Sequence, residues 1–312
     1  MKRRHLLAGA IAAAAAPARA QKVPRVGILF AADPEPTWTM FRKAMADLGY
    51  VEGRTVVYDK RIASRERGDL DALAKELVES KVDVIVPVLS PAIAAVKAQT
   101  TTIPIVFNGG APQTGMVGSM ARPEANLTGV TSASSTLAGK ALQLFHELKP
   151  ITKGFGLLLN TTDPFHVPLQ RDVEAVARAN LIETLPVLLK SGVDLSPAME
   201  TMARRGVDGV LVQPSLGLEA AAALALKHRL PAISFRREFV EVGGLLSYGG
   251  DQGEINRGVA AYVDRILKGA KPADLPVVNT AKVELVVNRK TARALGFDFP
   301  PMFLARVDEV IE

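Results

Sequence analysis

From Lys22 onward the chain repeats one rhythm: a short apolar run rich in β-formers, a turn of small or polar residues, then a segment of helical periodicity. Residues 26–30 (VGILF), 54–60, 82–86 and 103–107 read as strands, with helices over 37–48, 70–78 and 92–99 between them. The rhythm then restarts, with strands over 155–159, 183–187, 209–212 and 232–235 and helices over 167–179, 194–204 and 218–228. Short buried strands alternating with helices imply parallel pairing, because a parallel partner cannot be reached by a tight turn and needs a crossover helix. Two successive units of similar size predict an α/β fold of two similar lobes, whose facing strand ends would form a cleft. The Thr/Ser/Gly-rich stretch 127–137 reads as the junction between them. A helix over 251–267 follows, then an alternating strand, 283–287, that could cross between the lobes.

The start of the chain has a different character. Lys2, Arg3 and Arg4 precede a short apolar run over 6–16, and Ala18-Arg19-Ala20 makes a small-x-small cleavage site. That order predicts a signal peptide over residues 1–20, far short of the ~20 apolar residues that span a bilayer. The Arg3-Arg4 pair fits a twin-arginine export signal as well as an ordinary secretory one. Export to the periplasm is expected by either route.

Charge and cysteine content remove several functions. The net charge of +6 rests largely on four basic residues before position 21, and the remainder carries 34 basic against 32 acidic residues. No Lys/Arg stripe with interleaved aromatics appears, so nucleic acid is not an expected partner. The chain has no cysteine, which removes disulfides, thiolate metal sites and a lipid-bearing N-terminal Cys. His5, His146, His166 and His228 are scattered, and no metal site is expected. There is no G-x-S-x-G elbow, P-loop or G-x-G-x-x-G fingerprint, so neither a cofactor nor an enzyme is expected.

Parallel α/β sheets bind ligands beyond the carboxyl ends of their strands. The residues that follow each predicted strand are therefore the candidates. In the first unit they are Asp33 and Trp38, Ser90, and Asn108; in the second, Asp163, Ser215 and Arg236. Ser90, at a helix start before Pro91, either holds a ligand carboxylate or is an ordinary cap. Asp33 and Asp163 either accept a ligand ammonium or cap the helices after them. Trp38, the only tryptophan, either stacks on a flat ligand or packs within its lobe. Arg236 either clamps a carboxylate or makes an interlobe salt bridge. Tyr248, before Gly249 and Gly250, touches ligand or packs at the hinge.

The chain also resembles a known family, the periplasmic substrate-binding proteins of ABC transporters, in the group that includes tryptophan-type binding proteins. The resemblance runs through LGYVEGR (48–54), VDVIV (82–86), SPAIAAVKA (90–98), TIPIVF (102–107), ARP (121–123) and NLTG (126–129). It continues through LPAI (230–233), REFVE (237–241), GGLLSYG (243–249), YVDRILKGAKPADLP (262–276) and the segment 288–296. It implies a type I periplasmic binding protein fold, α/β with two Rossmann-like lobes, a hinge and an interlobe cleft, with residues 21–132 and about 250–280 in lobe one and 133–249 and about 281–312 in lobe two. It implies a small polar solute, such as an amino acid or related carboxylate, as ligand, an ABC permease and its ATPase as partners, and a monomer free of the membrane after signal cleavage. A ligand sensor presenting its closed lobes to a membrane receptor fits the same scaffold, as does an exported enzyme. The chain departs from the family at NGGAP (108–112), where an Asp-Pro is usual, and at PSLGL (214–218), where an acid or aromatics are usual. Both departures fall at the expected cleft and point away from an aromatic amino acid.

Overall fold

A computed structural model describes residues 22–63, 69–123 and 125–312; the expected leader, 1–20, lies outside them. The chain starts with β1 (Arg25–Phe30), α1 (Thr37–Asp47), β2 (Val57–Ile62), α2 (Leu70–Glu79), β3 (Val84–Val88), α3 (Ser90–Gln99), β4 (Ile105–Asn108) and β5 (Leu127–Thr131). It continues with α4 (Ser134–Leu148), β6 (Gly154–Asn160), α5 (His166–Ala179), β7 (Glu183–Leu189), α6 (Ser196–Arg204), β8 (Gly209–Val212) and α7 (Leu218–Lys227). Next come β9 (Ala232–Ser234), α8 (Arg237–Glu241), β10 (Leu246–Gly250), α9 (Gln252–Leu267), β11 (Val278–Asn279) and β12 (Val283–Asn288). The chain ends with α10 (Arg289–Leu295), α11 (Pro301–Leu304) and β13 (Glu309–Ile311).

The strands form two sheets, ordered β11-β5-β4-β3-β1-β2 and β13-β12-β10-β9-β8-β6-β7. Pairing is parallel throughout except between β10 and β12. Helices cover both faces of each sheet, which is why the central strands are apolar without alternation. In β1, Val26, Ile28 and Phe30 point into one core with Trp38, Phe41 and Val263, while Leu29 points into the other with Leu77 and Ile93. The second sheet is flanked the same way, by Leu142, Phe145 and Phe155 on one face and Met199, Met202 and Val210 on the other. Each of these large side chains contributes about 1.5–3 kcal/mol by leaving water.

Three sequence expectations need correction. The stretch 127–137 is more than a junction: the pass between the sheets takes up only its middle, and it also holds β5, buried along its whole length, and the start of α4. Its small polar residues mislead because they are satisfied inside. Thr128 donates to the Leu275 carbonyl at 2.7 Å, and Gly129 lies so close to β4 that a Cβ there would sit 2.4 Å from the Phe107 carbonyl oxygen. The second strand begins at Val57 rather than 54, because residues 51–56 are spent in a turn in which Thr55 Oγ1 accepts from Val51 N–H and donates to the Gly49 carbonyl. The strand 283–287 does not itself cross; it is β12, antiparallel to β10 within the second sheet.

The chain passes between the sheets at 131–134, 250–252 and 279–283. The three passes touch. Thr280 N–H donates to the Thr131 carbonyl and Asp251 N–H to the Lys282 carbonyl. At Gly250 a Cβ would meet Ser132 Cβ at 2.6 Å and Thr280 Cγ2 at 2.8 Å. After the second pass, α9 returns to the first sheet, where Ile255, Val259 and Val263 join the core built on Val106 and Val130. Among the described residues, no helix is long and apolar enough to cross a membrane.

Candidate ligand-binding site

The carboxyl ends of β3 and β4 face those of β6, β8 and β9, and a cavity of about 40 Å³ lies between them. From the first lobe it is lined by Leu89, Ser90, Asn108, Gly109 and Gly110; from the second, by Asp163, Phe165, Gln213, Ser215, Phe235 and Arg236. Thr131, Ser132, Ser134 and Ile255, from the connecting passes and α9, close its floor. Wider spaces of about 730 Å³ and 340 Å³ flank it, and Asp33 lines both.

Ser90 opens α3, 3% exposed, and Pro91 follows in the first turn, where its missing N–H costs nothing. The N–H groups of that turn have no acceptor within the helix and carry the positive end of its dipole. The preceding residue, Leu89, is held at φ 70°, ψ 155°, a region that side chains avoid and that costs about 1–3 kcal/mol. Its N–H is fixed by the Asn108 carbonyl at 2.9 Å. That strain turns the backbone sharply enough to aim the helix start at the cavity.

Asp163 is the counterpart in the second lobe. The residue is 4% exposed, and its carboxylate accepts from Phe165 N–H at 2.9 Å, Gln213 Nε2 at 2.8 Å and Ser215 Oγ at 2.7 Å. Asn160 braces this set, donating to Ser215 Oγ while its own N–H donates to Gln213 Oε1. Burial pushes the Asp163 carboxyl above its ordinary value, and the three donors, with His166 nearby, only partly offset that. No lysine or arginine pairs with it among the described residues. The cavity therefore has a buried acid on one side and unsatisfied N–H groups on the other.

The other expected residues fall in three places. Asn108 and Ser215 line the cavity, and Asn108 contacts Asn256 at 3.5 Å. Asp33 is exposed at the mouth, where it accepts from Glu35 N–H at 2.9 Å. Arg236 lines the cavity, but its ion pair is not the interlobe one expected. It pairs at two points with Glu238 of its own lobe, at 2.9 and 3.2 Å, and crosses the cleft only to Thr37 Oγ1 at 3.2 Å. Trp38 and Tyr248 line none of these spaces. Trp38 packs edge-on against Tyr58, with ring centroids 5.2 Å apart, and Lys60 sits over its ring. Tyr248 lies opposite Leu285 in β10 and packs on the second lobe's core.

Sequence reasoning missed Phe165, Gln213, Phe235, Glu238 and the floor residues. Phe165 and Gln213 stand within two residues of expected positions, so the strand-end rule pointed at the right loops. Nothing in the sequence distinguishes a loop phenylalanine that enters the cavity from one that packs beneath it.

Residues 37–311 match the family described as ABC transporter substrate binding protein. The chain belongs to that family. Among ABC transporter substrate-binding proteins and their relatives, it is similar to a tyrosine-binding protein of Clostridioides difficile strain R20291, 25% identical over 263 residues, which are 82% of this chain and 75% of the relative. A conserved domain protein from Vibrio cholerae superposes with a TM-score of 0.84 at 25% identity, covering 93% of this chain and all of the other. An ABC domain from Streptococcus pneumonia, solved in complex with L-Trp, superposes at 0.83 with 24% identity, covering 92% and 99%. The two-lobed fold of type I periplasmic binding proteins is thus the fold of this substrate-binding protein.

Proposed function

We propose that the protein is the extracytoplasmic solute receptor of an ABC importer and that it captures an amino acid between its lobes. The observation that carries this reading is the opposition of Asp163 and the α3 N-terminus across one cavity walled by both lobes. A zwitterion satisfies both at once. Its ammonium supplies the cation that Asp163 lacks, and its carboxylate accepts from Ser90 Oγ and the first-turn N–H groups. The names of the tyrosine-binding relative and the L-Trp complex support an amino-acid ligand. Lobe one takes in 21–132 and about 250–280, lobe two 133–249 and about 281–312, and the three touching passes form the hinge. Solute binds one lobe, the hinge closes, and the other lobe completes the cage. The closed monomer is then read by a membrane permease, whose ATPase drives release. The signal-like leader over residues 1–20 supports a periplasmic setting for this cycle.

Calorimetric titration of the purified protein with the common L-amino acids, sugars and nucleosides tests the reading. Saturable binding of an amino acid, with no product formed, is expected. A micromolar ligand at millimolar concentration raises stability by about 4 kcal/mol, visible as a rise in Tm. Binding confined to sugars or nucleosides contradicts it.

A further inference from the structure

The carboxylate of Asp163 is held unevenly. Oδ2 accepts two bonds, from Gln213 Nε2 at 2.8 Å and Ser215 Oγ at 2.7 Å, while Oδ1 accepts one, from Phe165 N–H at 2.9 Å. An ionised carboxylate offers about four acceptor positions. Three are filled from the second lobe, and the open one is on Oδ1. The donors also differ in what they permit. A hydroxyl can turn, so Ser215 can serve the ionised acid as donor or the protonated acid as acceptor. Gln213 has no such freedom. Its Oε1 accepts from the Asn160 backbone N–H at 2.9 Å, a group that only donates. A flipped amide would set two donors against each other and its oxygen against the carboxylate. The main chain of Gln213 is fixed on both sides, its N–H on the Leu158 carbonyl and its carbonyl on the Leu216 N–H, each at 3.1 Å, and the residue is 1% exposed. Nε2 is therefore a one-way donor to Oδ2.

We infer that Gln213 is a positioning residue for ligand capture: by donating one way to Oδ2 it holds Asp163 ionised and leaves Oδ1 as the atom that receives the ligand ammonium. This rests on the proposed function. Burial alone favours the neutral acid, and a bond that only the charged form accepts at full strength opposes it. The titratable and charged groups around Asp163, among the described residues, are His166, whose Nδ1 lies 2.7 Å from the Asp163 carbonyl oxygen, and Arg236, already paired with Glu238. The facing wall from the first lobe, Ser90, Asn108, Gly109 and Gly110, carries no charge. The ionisation of Asp163 thus rests on its hydrogen bonds, and Gln213 makes the side-chain bond that a turning hydroxyl cannot reverse.

The test is titration calorimetry on the full protein, first with the common L-amino acids at neutral pH. The tightest of them is then titrated from acid to neutral pH into wild type, Gln213→Met, Gln213→Asn and His166→Gln. Gln213→Met should raise the pH at which affinity is half lost by about one unit, and Kd should change less on the neutral side than in acid. Gln213→Asn keeps a buried amide that is too short to reach both partners, so it guards against loss of fold and should move the midpoint the same way. A merely structural role would weaken binding by the same factor at every pH. His166→Gln should keep the fall of affinity in acid. An unmoved midpoint in the folded Gln213 variants, or a His166→Gln protein whose binding no longer depends on pH, overturns this inference alone. Failure of every common L-amino acid to bind wild type contradicts the proposed function and this inference with it.

Discussion

Arg236 and Glu238 form a two-point ion pair, largely buried, and the same guanidinium reaches Thr37 of the opposite lobe. The pair neutralises the only arginine in the cavity wall among the described residues, so in the proposed binding mode the ligand carboxylate is left to the α3 N-terminus. In the closing motion proposed above, the bond to Thr37 is made as the lobes come together.

Thr37→Val should therefore weaken ligand affinity without harming the fold. One hydrogen bond contributes about 1 kcal/mol net, equivalent to roughly fivefold in Kd. Calorimetry should show that loss with Tm nearly unchanged in the absence of ligand. Arg236→Ala is expected to do more, because Glu238 would stay buried and unpaired, at a cost of about 3–5 kcal/mol.

Asp163 gives the binding a pH dependence. Burial raises its carboxyl pKa, so acid protonates it at a higher pH than an ordinary aspartate. An ammonium needs the ionised form, and affinity should fall as pH drops through the raised pKa. Stability of the free protein should move the other way for this group. A folded pKa above the unfolded one makes stability fall as pH rises from the ordinary aspartate range through the raised value. Asp163→Asn should abolish both dependences and weaken amino-acid binding at least tenfold at neutral pH. Titrations and thermal melts across acid to neutral pH check this.

Trp38 supplies an internal control. It packs on Tyr58 in the first lobe's core and lines none of the cleft spaces. Its emission wavelength should barely move on ligand saturation. Trp38→Phe should keep Kd within about twofold while costing about 1–3 kcal/mol of stability.

The three passes between the sheets leave no room for a side chain at Gly250. A Cβ there would overlap Ser132 Cβ and Thr280 Cγ2, atoms of the two other passes. Gly250→Ala should cost about 1–3 kcal/mol, and for lobes of this size each kcal/mol lowers Tm by about 2–4 °C. Melting curves give the answer directly.

The sequence was most legible where one force dominates. Short β-branched apolar runs such as VGILF (26–30) and the VIV of 84–86, alternating with helical segments, read as strands covered on both faces, and they predicted the sheets and the strand ends where the cavity lies. Leu127–Thr131 was illegible because its strand character comes from partners far away in sequence, Leu275 and Phe107. Within the site, Ser90 and Asp163 followed from their places after strands. Arg236 was half read: its position is right, but its charge is already taken by Glu238, two residues on. Trp38 misled because an aromatic at a helix start looks the same whether it faces the cleft or the core. Phe165 was missed for the same reason in reverse.

The most direct measurement is a crystal structure with the tightest-binding amino acid. The account predicts the ligand between the lobes, with its ammonium on the Asp163 carboxylate and its carboxylate on Ser90 and the first turn of α3. A ligand held outside this cavity, or one bound with its carboxylate toward Asp163, would contradict it.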